Sequence, residues 1–264
     1  MKHKRLTIGF AIIIIIALFV IYKTRLFSSK PPPEETHWGY LGAEGPEHWG
    51  QLSFDFKECE AGKHQSPINI MTSNIIKGEA ADKIKINYNL EINSILNNGH
   101  TIQITFKNGS YIVLNNKKYE LKQMHFHTPS ENLINGERFP FEAHFVNISN
   151  DGKIAVLALL YNYSKEDNPF IKEIWDQMPK DVDNINSNLV IDKKIHPLPD
   201  GHYTYYEFTG SLTAPPCTES VEWLVLKEKS SISKEQVQTF EKTLTFDNSR
   251  PVQKAYDREV FSEN

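Results

Sequence analysis

This chain is poor in cysteine: its 264 residues contain two, Cys59 and Cys217. That excludes a cysteine-built zinc finger, an iron–sulfur cluster and a disulfide-dense small scaffold, each of which needs more thiols. No segment repeats with a period of roughly 20–50 residues, which argues against a solenoid or a propeller. A basic stripe is missing too. Six of the 29 Lys and Arg residues (Lys2, Lys4, Arg5, Lys23, Arg25 and Lys30) fall in residues 1–30, which hold no Asp or Glu. Setting those six aside leaves 23 basic against 33 acidic side chains, a balance of −10. An acidic domain of this kind argues against nucleic acid as a partner. Hydrophobic content is 39%, modest but enough for one sizeable core. The length suits one large domain or two small ones.

Residues 1–30 are a separate matter. A basic start is followed by an uncharged run from Leu6 to Tyr22, the pattern of an export signal or a membrane anchor. As a helix that run reaches about 26 Å at ~1.5 Å per residue, the short end of what spans a bilayer. No Ala-x-Ala-like cleavage pattern follows Tyr22, so an uncleaved anchor is favoured over a removed signal. Residues 31–36, with Pro31-Pro32-Pro33, read as an extended spacer. The remaining segment, 37–264, is expected to be one domain.

That domain is read as mainly β with short peripheral helices. Ile84–Tyr88 and Thr101–Phe106 alternate, and Asn108-Gly109 is expected to close a hairpin into Ser110–Leu114. Ile154–Tyr161 is nearly all apolar, the mark of a strand covered on both faces. Val221–Leu226 is another strand. Asn168-Pro169 opens a helix expected to run through Met178. Ser233-Lys234-Glu235-Gln236 is a capping-box pattern, and Val237, Phe240 and Leu244 follow it on one helical face.

The richest stretch is Gln123-Met124-His125-Phe126-His127, which continues the alternation of Tyr119-Glu120-Leu121-Lys122. In a strand, residues two apart share a face. Gln123, His125 and His127 then point one way. In Phe141–Val146, Glu142, His144 and Val146 share a face. If the two strands pair, three imidazoles converge. Two of them follow a hydrogen-bonding residue by two positions, Gln123 for His125 and Glu142 for His144. A catalytic zinc needs neutral imidazoles and a free position for water. Each ligating ring must also donate its other N–H to a fixed acceptor. Few other carboxylates share that face, which argues against calcium or iron.

These strands stand among further segments: His37-Trp38-Gly39-Tyr40, Gly45-Pro46-Glu47-His48-Trp49, Gln65-Ser66-Pro67-Ile68-Asn69-Ile70 and Asn98-Gly99-His100. Later come Pro129-Ser130-Glu131, Ser211-Leu212-Thr213-Ala214-Pro215-Pro216 and Asn248-Ser249-Arg250-Pro251. In this order and from about His37 to about Phe261, the chain resembles the alpha-class carbonic anhydrases, in their exported bacterial form. The resemblance implies one domain around a large twisted, mostly antiparallel sheet of about ten strands. It also implies cis bonds at Ser66-Pro67 and Pro215-Pro216.

It further implies reversible hydration of carbon dioxide to bicarbonate and a proton by one Zn2+ per chain, with zinc hydroxide as nucleophile. His125, His127 and His144 would be the ligands, and a backbone carbonyl near Asn248 would orient His127. Thr213 would accept from the hydroxide and donate to Glu131. His100 would shuttle the proton. Val146, Val156, Leu212 and Trp223 would form an apolar substrate wall, with Ala214 where many relatives carry a hydroxyl.

The two cysteines alone leave a disulfide and two free thiols open. The resemblance joins Cys59 to Cys217, since bacterial and many extracellular members bridge these places. A bridge implies the periplasm or the outer face of the cell membrane, with membrane contact through residues 6–22 if they are kept. The expected partners are small molecules: CO2, water and bicarbonate. Two other readings compete. A non-catalytic carbonic-anhydrase-like binding or adhesion domain would be expected to lose zinc histidines, and all three are present. A cupin-type dioxygenase would want a Gly-rich double motif with a carboxylate ligand, which this sequence lacks.

Overall fold

Patterns of apolar residues build most of the strands into one sheet. The strand Ile154–Ser164 shows why. Ala155, Leu157, Leu159 and Tyr161 enter one core, and Val156, Ala158 and Leu160 enter another. A strand with apolar cover on both faces belongs inside a sheet. It lies antiparallel to Phe141–Ser149 on one side and parallel to Glu219–Leu226 on the other. The computed structural model describes residues 36–77, 84–89, 91–192, 194–199 and 203–262. The Leu6–Tyr22 run and the spacer up to residue 35 lie outside the described residues. Among those described, no helix is long and apolar enough to cross a membrane.

Across the sheet the order is Ile185–Asn186, Ile92–Asn97, Ile102–Phe106, Lys117–His127, Phe141–Ser149, Ile154–Ser164, Glu219–Leu226, Tyr205–Ser211, Phe261–Ser262 and Ile76–Lys77. Three short strands pair beside this path, giving 13 among the described residues. Most neighbours are antiparallel. The exceptions are the pairs of Ile154–Ser164 with Glu219–Leu226 and with Ser230–Ser233, and of Phe261–Ser262 with Ile76–Lys77. The mostly antiparallel sheet with few peripheral helices is therefore what the chain forms.

Asn108-Gly109 does not close the expected hairpin. Ile102–Phe106 pairs with Ile92–Asn97 and with the long strand Lys117–His127, and Tyr111–Leu114 pairs with a different stretch of that same strand. The two segments lie end to end along one edge of it. Ser110 marks the break: its carbonyl accepts the Leu121 N–H at 2.9 Å, and its hydroxyl donates to Asn89 Oδ1 at 2.6 Å. The hairpin turn is Asn115-Asn116. Both residues have positive φ, 50° and 59°, as a two-residue primed turn requires.

Helices cover one face. Pro169–Trp175 starts with the Asn168 side chain accepting from the Ile171 N–H. It stops short of Met178, ahead of Pro179, which cannot continue a helix. Lys234–Leu244 carries both bonds of the Ser233–Gln236 capping box. Its Val237, Phe240 and Leu244 pack with Phe170, Ile171 and Ile174 onto Met124, Phe126 and Phe141 of the sheet. The opposite face carries a second apolar cluster around Val156, Phe208, Trp223 and Val225. Cis peptides occur at Ser66-Pro67 and Pro215-Pro216, and also at Thr128-Pro129, where none was expected.

Candidate metal centre

One extra residue makes the site. Unbroken alternation would put His125 and His127 on the same face as Tyr119 and Leu121. Instead Tyr119, Leu121, Met124 and Phe126 all enter the helix-side core. Val146 opposes Gln123 while Asn147 opposes Leu121, so Lys122 is left over as a β-bulge. A one-residue slip turns every later side chain to the other face. Gln123, His125 and His127 thereby leave the helix-side core and meet the strand Phe141–Ser149, where His144 stands opposite His125.

The three imidazoles converge. One ring nitrogen from each of His125, His127 and His144 lies within 4.8 Å of the others. The opposite nitrogens are held by the protein. His125 Nδ1 lies 2.7 Å from Gln123 Oε1, His127 Nδ1 lies 2.8 Å from the Asn248 carbonyl, and His144 Nε2 lies 3.0 Å from Glu142 Oε1. An acceptor on that side fixes the proton there and leaves the lone pair facing inward. His127 Nε2 is buried and has no hydrogen-bond partner. Burial holds the pKa of all three rings below the usual histidine value. They are neutral imidazoles near neutrality, the form that binds a metal.

Two carboxylates stand behind them, and only that of Glu142 has donors on both oxygens. Glu142 is fully buried. Its Oε2 accepts from the Glu131 and Asn132 N–H groups at 2.7 and 2.9 Å, and its Oε1 from Asn132 Nδ2 at 2.7 Å. Asn132 was not singled out from the sequence, where it reads as a loop residue. Glu131 is also fully buried. Its Oε1 accepts from the Arg250 N–H at 2.8 Å, and its Oε2 has no partner of good hydrogen-bond geometry. Burial raises its pKa well above the usual carboxylate value, against smaller lowering by hydrogen bonds from the Thr213 hydroxyl and the Arg250 N–H. Thr213 itself is nearly buried.

Val156 and Trp223 belong to the second apolar cluster, and Val146 and Leu212 pack against it. The Trp223 ring meets His144 edge-on at 4.9 Å, which places this cluster beside the imidazoles. Its indole N–H donates to the Ser211 carbonyl at 3.0 Å, fixing the ring. Ala214 is half-buried in the loop that follows, with its carbonyl accepting from the Cys217 N–H. Cys59 and Cys217 are disulfide-bonded with Cα atoms 5.0 Å apart.

His100 sits in a turn built by Asn98, whose Oδ1 accepts from the His100 and Thr101 N–H groups at 3.0 and 2.8 Å. Gly99 has a φ of +80°, a conformation that suits glycine. The half-buried His100 ring stacks on Trp38 with centroids 3.8 Å apart and planes 6° from parallel. Burial, and then His37, lower its pKa, with Asp183 acting against them. The aromatic N-terminal motif hinted at Trp38, but nothing in the sequence paired it with His100.

Three neutral imidazoles, His127 and His144 buried and His125 partly so, on a large mostly antiparallel sheet define a candidate metal-site protein with an apolar wall beside the metal position. Comparison with known proteins narrows this. Residues 44–264 match the model of the eukaryotic-type carbonic anhydrase family. A carbonic anhydrase from Neisseria gonorrhoeae is 42% identical over 228 residues, 86% of this chain and 88% of that one. One from Pectobacterium atrosepticum is 40% identical, covering 85% of this chain and 90% of that one. The alpha-carbonic anhydrase from Thermovibrio ammonificans, solved in complex with the inhibitor sulfanilamide, superposes with a TM-score of 0.79 at 40% identity, covering 86% of this chain and all of that one. This chain belongs to the eukaryotic-type, or alpha-class, carbonic anhydrase family.

Proposed function

We propose that this chain is a zinc-dependent enzyme for the reversible hydration of carbon dioxide to bicarbonate and a proton, with residues 37–264 as its catalytic domain. One observation carries the reading. Three neutral imidazoles converge, each fixed on its far side, and His127 Nε2 is buried without a hydrogen bond, with Glu131 Oε2 3.5 Å away. An orphaned buried nitrogen is costly unless a ligand takes its lone pair. The donor set of three histidines is that of a catalytic zinc site with a position left open. Bound zinc supplies Lewis acidity that lowers the pKa of a coordinated water to about 7, a value established for carbonic anhydrases generally.

The chain's own residues do the rest. His125, His127 and His144 hold the metal, with Gln123, Asn248 and Glu142 fixing their tautomers. Thr213 donates its hydroxyl proton to Glu131 and is left to accept a hydrogen bond from the nucleophile, which fixes its direction of attack. Val146, Val156, Leu212 and Trp223 supply a wall without donors or charges, suited to a neutral, apolar substrate, and Ala214 leaves room beside it. His100 carries the released proton toward bulk water, for which a pKa near or below neutrality is suited.

The bridge between Cys59 and Cys217 supports an oxidising compartment outside the cytoplasm. We extend this to a location in the periplasm or on the outer cell surface, tethered by residues 6–22. Mass spectrometry of the native N-terminus tests the tether, and a mature chain starting between Leu26 and Glu34 contradicts it. The catalytic reading is tested by stopped-flow CO2 hydration and zinc analysis of wild type and His144→Ala. Zinc and activity are expected to fall together. Full activity in a variant without metal would overturn the reading.

A further inference from the structure

The segment Asn248-Ser249-Arg250 reaches several parts of the site at once. The Asn248 carbonyl accepts from His127 Nδ1 at 2.8 Å. Asn248 Nδ2 donates to the His100 and Phe126 carbonyls at 3.0 and 2.8 Å, and its Oδ1 accepts from the Thr128 N–H at 2.9 Å. The Ser249 hydroxyl donates to the Pro129 carbonyl. The Arg250 N–H donates to Glu131 Oε1 at 2.8 Å. Yet the segment lies in no helix or strand. Its backbone is joined to the chain beside it by the Asn248 N–H, which donates to the Thr128 carbonyl at 3.2 Å, and not by a ladder of such bonds.

The Arg250 side chain does what a ladder would. It is 1% exposed. Nη1 donates to Gln65 Oε1 at 2.9 Å and to the Ser66 carbonyl at 2.7 Å, and Nη2 donates to the Cys59 carbonyl at 2.8 Å. The guanidinium lies 5.7 Å from the centre of the buried Trp49 ring. The loop it grips is fixed in turn by the Cys59–Cys217 bridge and by Gln65 Nε2, which donates to the Cys217 carbonyl at 3.0 Å. Burying a cation without an ion-pair partner is costly, and the Arg250 guanidinium makes no ion pair among the described residues. A planar fork with several fixed donors fits this set of acceptors, and a lysine ammonium does not.

We propose that Arg250 is a positioning residue for the reaction. Its guanidinium anchors a strap whose backbone offers a carbonyl to His127 and an N–H to Glu131. The inference rests on the proposed hydration reaction for its consequence in turnover. It also makes a structural claim that stands apart from turnover. His125 and His144 take their far-side partners, Gln123 and Glu142, from their own strands. His127 alone of the three depends on the strap. Loosening Arg250 therefore unfixes one imidazole and spares two.

The test is hydrogen exchange at the imidazole N–H groups, read by NMR on holoprotein labelled with 15N-histidine, in wild type and Arg250→Gln. Exchange at His127 Nδ1–H is expected to speed up about tenfold or more, equivalent to ~1.4 kcal/mol of lost protection. The N–H protons of His125 and His144 should exchange as in wild type, and kcat/KM for CO2 should fall. Arg250→Lys, which keeps the charge and lacks the fork, should lie between the two. If Arg250→Gln does not fold, Gln65→Met decides: it removes one acceptor of the guanidinium and should show the same selective effect at His127, more weakly. Equal acceleration at all three histidines, or none at His127, would overturn the proposal. If the wild type takes up no zinc and hydrates no CO2, the functional reading fails, and the exchange contrast measured without metal still decides whether Arg250 anchors the strap.

Discussion

Replacing Glu142 with glutamine keeps the side chain's size and removes one acceptor, which makes it the sharpest probe of the metal centre. Four donors converge on this carboxylate. Oε2 accepts from the main-chain N–H groups of Glu131 and Asn132, and Oε1 accepts from Asn132 Nδ2 and His144 Nε2. The two main-chain donors cannot turn away, so the glutamine oxygen must face them. Its NH2 then confronts two further donors. Asn132 could rotate its amide, but its Oδ1 accepts from the Ile68 N–H at 3.3 Å. His144 yields more easily by moving its proton from Nε2 to Nδ1. Nδ1 is the nitrogen left for a metal, so the site keeps two inward lone pairs of three. Loss of such a supporting partner costs about 10–100-fold in metal affinity, which is ~1.4–2.7 kcal/mol. A hydrogen bond to a charged group is worth about 1.5–3 kcal/mol, so two independent routes give the same size. Chelator competition measures the zinc dissociation constant, and near-ultraviolet circular dichroism checks the fold. A folded Glu142→Gln protein with unchanged zinc affinity would refute this reasoning.

His100→Ala should slow CO2 hydration in weak buffer while leaving kcat/KM nearly intact, and added imidazole should restore part of the rate. Because burial and His37 push the His100 pKa down, its NMR titration should centre below the ordinary value of about 6.5; His37→Ala should move that midpoint up and Asp183→Asn should move it down, and a midpoint indifferent to both would contradict the assigned causes. Reducing Cys59–Cys217, which are 158 residues apart, removes up to about 4–5 kcal/mol in the chain-entropy view; a lower melting temperature is expected, and an unchanged one would count against a structural role for the bridge. Sulfanilamide should bind competitively with small anions, and failure to bind at millimolar concentration would count against the proposed geometry.

The three converging histidines were legible because their signal is local. His-x-His within one strand, and Glu142 and Gln123 two positions before a histidine, are patterns of spacing. The face they occupy was not legible. Alternation run through Tyr119–His127 turns the histidines into the helix-side core, and the bulge at Lys122 appears once the partner strand's register is known. His127's far-side acceptor lies 121 residues away and is a main-chain carbonyl, which no residue type announces. The likeness to a known family pointed near Asn248, whereas spacing alone could not. Arg250 stands in one of the segments that carry the resemblance, but nothing in the sequence announces its burial. The Asn108-Gly109 hairpin failed for the same kind of reason. Turn chemistry reports local preference, while the long strand Lys117–His127 had pairing positions for both flanking segments and took them.

The central claim is that three histidines of this chain hold a zinc that hydrates carbon dioxide. The most direct measurement strips the metal from the purified protein and follows CO2 hydration by stopped flow as zinc is returned. The account predicts no catalysis above the buffer rate in the stripped protein, then a linear rise that breaks at one zinc per chain, with the rise abolished in His125→Ala. Catalysis that persists without metal, or that returns equally in His125→Ala, would contradict it.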